Sequence, residues 1–179
     1  ARLDLMEWLF HQPLWVATPT YRAVHACWDA RAIVRLGSNH LRLPDLDLAT
    51  GPRFHALRQI LDGPSLRMER GGGLPPVTVR VKWWNAQLPT WRKAAFSGRQ
   101  DLSDAGLPGL RRSMTHGYPG NLPPVFFGHY GFAKPAAPVA PNAACLDLAV
   151  AQGGPICAYR WQGERRLRVD SFVTSDGKP

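Results

Sequence analysis

The sequence predicts a mixed α/β (α+β) layer built around a sheet rich in hairpins, and three observations carry that expectation. Strand-type segments outnumber helical ones. Several are bounded by Gly, Pro, Thr or Asp clusters of the kind that turn a chain back on itself. The 18 aromatic residues and 45% hydrophobic content in 179 residues supply the material for one packed core. Gly and Pro together make 34 of the 179 residues, high for a packed domain but short of a low-complexity chain. No internal repeat is present.

Taken in order, Leu3 to Phe10 has helical spacing and is closed by Gln12-Pro13, because proline cannot continue a helical ladder. Leu14–Ala17 and Tyr21–His25 flank Thr18-Pro19-Thr20 and read as a hairpin. Ala30–Leu36 reads as a helix with Asp29 as its N-cap and Gly37 ending it, and Phe54–Leu61 as another, stopped by Asp62-Gly63-Pro64. Gly71-Gly72-Gly73 lacks the Lys-Ser/Thr ending of a phosphate loop and reads as a surface turn. Val77–Trp83 alternates apolar and polar residues at strand period. Residues 97–124 carry little periodicity and much Gly, Pro and Asp, so a long irregular loop is expected there. Strand-type segments follow at Val125–Phe127, Ala143–Leu148 and Pro155–Trp161, with a polar turn at Gln162-Gly163-Glu164 leading to a last strand at Arg166–Val169.

The charge is lopsided: 22 Lys+Arg against 13 Asp+Glu give +9, and 18 of the cations are Arg. They are spread along the chain, only Arg165-Arg166-x-Arg168 approaching a cluster, so nucleic acid is not the expected partner. Arg22, Arg80 and Arg160 lie on strand-type segments and are expected to point to solvent, with a phosphate-facing role as the alternative. No apolar run approaches the roughly 20 residues needed to span a bilayer, so no membrane is expected. Cys27, Cys145 and Cys157 form no C-x-x-C spacing and read as buried thiols of a cytoplasmic protein. Trp28, Trp83 and Trp84 read as core or interface anchors.

The chemistry is best sought among the six histidines. His25 ends Arg22-Ala23-Val24-His25, and His129 ends Val125-Phe126-Phe127-Gly128-His129; each follows a buried-type strand and precedes a turn. Side chains at the carboxyl ends of strands face the crevice where α/β sheets place ligands. Neutral imidazole is a common metal ligand, so two such histidines on neighbouring strands can share one ion, although a hydrogen-bonded structural histidine is the alternative at each position.

Four ordered segments sharpen this. Val24-His25-Ala26-Cys27-Trp28, Pro124-Val125-Phe126-Phe127-Gly128-His129-Tyr130, Pro141-Asn142-Ala143-Ala144-Cys145-Leu146-Asp147 and Ala158-Tyr159-Arg160-Trp161-Gln162-Gly163-Glu164 together resemble the C-terminal half of a calcineurin-like metallophosphoesterase. The branch resembled is the bacterial one related to Ser/Thr protein phosphatases and symmetrical diadenosine tetraphosphate hydrolases. The resemblance covers essentially residues 1–179, and is tightest at 1–36 and 123–172. It implies the C-terminal part of a four-layer αββα sandwich and a dinuclear centre of divalent metal ions (Mn, Fe, Zn or Mg). His25 and His129 map onto the two late histidines that complete the second metal's ligands.

The resemblance further implies hydrolysis of a phosphate ester, by attack of a hydroxide held by the metals, on a phosphoprotein, a dinucleoside polyphosphate or a small phosphomonoester. The family's D-x-H, G-D-x-x-D-R and G-N-H-E motifs are absent from the 179 residues, so the chain alone is expected to be inactive. Gly37-Ser38-Asn39-His40 differs from G-N-H-E by an extra Ser and by Leu41 in place of the acid. Gly128-His129-Tyr130-Gly131 lacks the second His of G-H-x-H, which makes Tyr130 either a pocket wall or a packed core ring. Asp147 and Asp29 are candidates for carboxylates that orient a ligand histidine. An internal hydrogen bond is the alternative for Asp147, and helix capping for Asp29. A reading of another class is a non-catalytic basic module that binds polyanions through its Arg excess.

Overall fold

A computed structural model describes residues 2–41, 50–68, 74–86, 88, 90–96, 117–132 and 135–177. The triple glycine at 71–73, residues 97–116 of the anticipated loop, and His116 lie outside the described residues. The chain is a mixed α/β structure with a five-stranded mixed sheet and two small two-stranded ones, which fits the α+β class.

Helix α1 spans Arg2–Phe10 and ends where Gln12-Pro13 removes the next donor. Strands β1 (Trp15–Ala17) and β2 (Arg22–Val24) form the expected antiparallel hairpin, with Trp15 opposite Val24. Its turn is tied by Thr18, whose Oγ1 accepts from the Tyr21 amide at 2.9 Å. Helix α2 (Ala30–Leu36) is capped at both ends as its sequence requires. Asp29 Oδ1 accepts from the amides of Arg31 and Ala32 at 2.8 and 3.0 Å, and Gly37, at φ +65°, donates to the Ile33 carbonyl. Asp29 therefore serves the helix.

Helix α3 (Pro52–Leu61) starts with proline in its first turn and buries Ala56, Leu57 and Ile60. Its end bears directly on β2, because the Ile60 carbonyl accepts from the amides of Ala26 and Cys27. Strand β3 (Ser65–Met68), which the sequence pattern did not announce, pairs antiparallel with β4 (Val77–Arg80); a short helix α4 (Trp91–Ala94) follows.

Strand β5 (Val125–Phe127) enters the main sheet beside β2 and parallel to it. Strand β7 (Ala143–Cys145) lies parallel on the other side of β5, and β6 (Pro138–Ala140) closes that edge antiparallel. The sheet order is therefore β1-β2-β5-β7-β6, with three parallel strands at its centre. β5 and β7 are nearly all buried, which is why they read as continuous apolar runs instead of alternating ones. Phe127, 2% exposed, packs against Trp83, Trp84 and Tyr130; burying one such ring contributes about 1.5–3 kcal/mol.

The C-terminal hairpin corrects one expectation. Residues 166–168 form no strand; a 3₁₀ turn at Val169–Ser171 follows, and the strand that pairs with β8 (Cys157–Tyr159) is β9 (Phe172–Thr174). The reason is Glu164. Its carboxylate accepts from the Tyr159 hydroxyl at 2.5 Å and the Gln162 amide at 2.8 Å, while Tyr159 Oη accepts from the Arg168 amide. This gathers residues 162–168 into a side excursion and lets Phe172 pack on Tyr159. Among the described residues no helix is long and apolar enough to cross a membrane.

Asn142 fixes the other end of the parallel strands. It is 2% exposed, and its Nδ2 donates to the Pro119 and Leu122 carbonyls at 2.9 and 3.1 Å, while Oδ1 is buried without a partner among the described residues. Asn142→Ala takes a donor from two carbonyls, of which that of Pro119 keeps the Leu122 amide, and also removes the unpartnered acceptor. The expected net loss is about 2 kcal/mol, read as a fall of about 4–8 °C in thermal midpoint for a chain of this size.

Candidate metal centre

The register of the three parallel strands places the candidate residues at one end of the sheet. Val24, Phe127 and Cys145 stand side by side, so the chain positions just beyond them, His25, Gly128 and Leu146, continue the row, followed by His129 and Asp147. The hydrogen bonds carry the ladder on, since the Gly128 amide donates to the His25 carbonyl at 2.8 Å and the Leu146 amide to the Phe127 carbonyl at 2.7 Å. This is the carboxyl end of the sheet, where α/β proteins collect their ligands. The imidazoles of His25 and His129 come together there, with ring centroids 5.1 Å apart and planes tilted by 46°.

Each histidine is held from behind. His25 precedes Ala26, which is fully buried; its amide donates to the end of α3, and its carbonyl accepts from the Trp83 indole at 3.0 Å. His129 sits at φ +66°, a left-handed conformation that costs a side-chain-bearing residue about 1–2 kcal/mol. Strain of this kind persists only where the surroundings over-determine it, and it concentrates at functional sites. The surroundings here are specific. Arg80 Nη1 donates to the His129 carbonyl at 2.6 Å, and its guanidinium lies 5.7 Å from the centre of the Tyr130 ring. Tyr130 is 3% exposed, and its hydroxyl donates to the Val81 carbonyl at 2.9 Å, which spends the ring on the core. Asp147 accepts from the Gly131 amide through Oδ2 at 3.0 Å and from the Ala149 amide through Oδ1 at 2.9 Å. It ties the loop after His129 to the chain after β7, and its hydrogen bonds go to backbone, not to an imidazole.

The electrostatics favour neutral rings. Partial desolvation lowers the pKa of His25 below 6.5, opposed by the charges of Asp62 and Asp147, and the effect is modest because the residue is exposed at the surface. His129 is lowered by burial first, then by the Arg80 cation and by His25, against the same two carboxylates. A neutral imidazole has the lone pair a metal needs. Unfolded histidines therefore hold protons more tightly than folded ones, so stability is fully present above pH 6.5 and falls as pH drops toward the lowered folded values. In denaturant titrations at about pH 7.5 and pH 5.5, the wild type should lose more stability on acidification than a His25→Asn/His129→Asn double variant.

Two residues at this end escaped the sequence pattern. Asp62 caps the C-terminus of α3 and is paired with Arg58 at 2.6 Å, yet its charge reaches both imidazoles. Arg80, expected in solvent, is half-buried against the His129 loop. Arg22, also expected in solvent, stacks on Trp28, with 4.7 Å from guanidinium to ring centre. The signal for both lies in tertiary packing, since alternation along a strand identifies only its polar face. Of the other histidines, His11 Nδ1 bonds the Glu7 carbonyl at 2.7 Å, and His40 and His55 are exposed. Cys27 and Cys145 are buried; burial raises both thiols, that of Cys145 to about 12, so neither offers a ready thiolate.

The donor chemistry fits a borderline divalent cation at two positions of a ligand set. Among the described residues no group of three or more His, Cys, Asp or Glu side chains converges on one point, and a catalytic zinc-type site takes three protein ligands. The two imidazoles alone fall short of that number. No family model matches the chain, and neither does any curated protein or any solved structure.

Proposed function

We propose that the chain is the C-terminal portion of a metal-dependent phosphoesterase, with His25 and His129 contributing two ligands to the second ion of a dinuclear centre. The observation that carries the reading is the pairing of two neutral-leaning imidazoles, 5.1 Å apart, at the carboxyl ends of adjacent parallel strands, one of them held in a strained backbone. Divalent cations, when bound there, would clamp phosphate oxygens and lower the pKa of a water toward neutrality. The chain's own residues supply the frame. Arg80 and Asp147 fix the His129 loop, Trp83 and α3 fix the backbone beside His25, and both rings are kept unprotonated near neutral pH.

The surroundings suit a centre completed by further polypeptide. An apolar groove of about 540 Å³ runs beside His25, walled by Leu9, Phe10, Trp15, Val24 and Leu61, and α1 leaves Leu5 and Trp8 more than half exposed. On this reading, the groove and the outer edge of β1 receive the rest of an αββα sandwich, and with it the D-x-H, G-D-x-x-D-R and G-N-H-E ligands. The substrate is a phosphate ester: a phosphoprotein, a dinucleoside polyphosphate or a small phosphomonoester.

The experiment joins the 179-residue chain to an N-terminal half of this branch that carries those three motifs and follows p-nitrophenyl phosphate hydrolysis with added Mn²⁺. Hydrolysis by the joined protein, abolished by chelator and absent from the 179 residues alone, is the expected result. A folded joined protein that is inactive with Mn²⁺, or equally active without metal, would contradict the reading.

A further inference from the structure

A second constellation lies apart from the histidine pair. Arg22, the first residue of β2, carries its guanidinium into a cavity of about 240 Å³ whose walls include Trp28, Gln59, Trp83, Tyr118 and Leu122. The cation is positioned by its neighbours. One face lies over the Trp28 ring at 4.7 Å, Nη1 donates to the Tyr118 hydroxyl at 3.1 Å, and that hydroxyl donates in turn to the Pro123 carbonyl at 2.7 Å.

Among the described residues no carboxylate pairs with Arg22. The nearest candidate by sequence, Asp29, also lines the cavity, but it accepts from the Arg31 and Ala32 amides as the cap of α2. A half-buried arginine normally finds an acid or an anion, because its five donors and its charge are costly to leave unmatched. Among the described residues one side-chain donor is used and the planar fork is held by stacking, an arrangement that suits bidentate recognition of a carboxylate.

The walls specify more than charge. The Trp28 and Tyr118 rings flank the cation and Trp83 lines the cavity with them, so a ligand that fills the space presents a flat apolar body behind its anionic group. A volume of 240 Å³ equals about eight waters at liquid density, which is the size of a single aromatic ring carrying one small substituent. We propose that this cavity is a binding site for a small aromatic carboxylate, its carboxylate on Arg22 and its ring among Trp28, Trp83 and Tyr118. The site is independent of the metal reading.

The test is an NMR titration of the 179-residue chain with benzoate, benzamide and inorganic phosphate in parallel, following the indole N–H of Trp28 and Trp83 and the Nε–H of Arg22. Benzoate is expected to bind saturably, with a dissociation constant on the order of 1 mM, shifting all three signals. Benzamide, with the ring but no charge, and phosphate, with charge but no ring, are each expected to bind at least about tenfold more weakly, as loss of a charge-assisted pair or of the ring contact requires. Arg22→Lys keeps the charge but not the fork, and is expected to weaken benzoate by a similar factor.

Equal binding of benzamide would show an apolar cavity without anion recognition and overturn the proposal. Equal binding of phosphate would remove the aromatic requirement and overturn it too. So would saturation of none of the three signals by benzoate. The three-ligand comparison on the unmodified chain decides the question even if the Arg22 variant does not fold.

Discussion

On the proposed reading, alanine at His129, and separately at His25, is expected to lower phosphomonoester hydrolysis by the joined protein by about 10²-fold or more. The size follows from what each ring does. A ligand lost from a metal that neutralises charge on a transferring phosphoryl group removes several kcal/mol of transition-state stabilisation, and each 1.4 kcal/mol is about tenfold in rate. On that reading the two variants act on one ion, so the double variant should be little worse than either single one. Raised Mn²⁺ should partly restore the single variants, a response that simple unfolding would not give. Asp147→Asn is the contrasting case. Its oxygens accept from the Gly131 and Ala149 amides, so the amide side chain keeps one acceptor and loses the other. The effect expected is a loosened His129 loop with a smaller loss of rate, about 10-fold, as for residues that only orient a ligand.

A large loss of stability is expected at Gly63. Its φ is +77°, and a Cβ there would sit 2.5 Å from the Tyr130 hydroxyl oxygen. That oxygen cannot move aside cheaply, because Tyr130 is 3% exposed and its hydroxyl is committed to the Val81 carbonyl. Gly63→Ala therefore combines about 1–2 kcal/mol of left-handed strain with about 1–3 kcal/mol of overpacking, roughly 3 kcal/mol in all. A double-mutant cycle separates the parts. Tyr130→Phe alone removes one of the two donors to the Val81 carbonyl, which keeps the Trp83 amide at 2.9 Å, at a cost of about 1 kcal/mol. In the presence of Tyr130→Phe the Gly63→Ala change should cost less, because the clashing atom is gone. Urea denaturation of the four proteins reads the coupling; strict additivity would show that Gly63 and Tyr130 do not meet as described.

Much of the fold was legible because its signals are local. Asp29 and Gly37 bracket α2 by capping chemistry, and Thr18-Pro19-Thr20 folds the β1–β2 hairpin through the Thr18 hydroxyl. What was not legible depends on distant partners. The parallel pairing of β2 with β5 joins residues about a hundred positions apart, and no local pattern records it. Strand β3 is four residues, Ser-Leu-Arg-Met, directly after a helix stop, and only its pairing with β4 identifies it.

The last strand was expected too early, since Arg166–Val169 alternates as well as Phe172–Thr174 does. Glu164 decides between them by drawing residues 162–168 into its own network. At the candidate site, the histidines could be read from their places at strand ends. The roles of Arg80 and Arg22 could not. A polar residue on a short strand faces solvent unless another element covers it. Here the β3–β4 pair lies against the His129 loop, and the Trp28 and Tyr118 rings close over Arg22.

The central claim is that His25 and His129 form one half of a metal-binding set, and a metal titration of the 179-residue chain tests it most directly. With Zn²⁺ added at about pH 7.5, where both lowered imidazoles are neutral, the ring signals of His25 and His129 should shift together and saturate at one ion per chain. Either alanine variant should abolish the response at the remaining ring, and in the unmodified chain lowering the pH through the histidine range should reverse it. Zn²⁺ acting first at His11, His40 or His55, or moving the His25 and His129 signals independently of each other, would contradict the account.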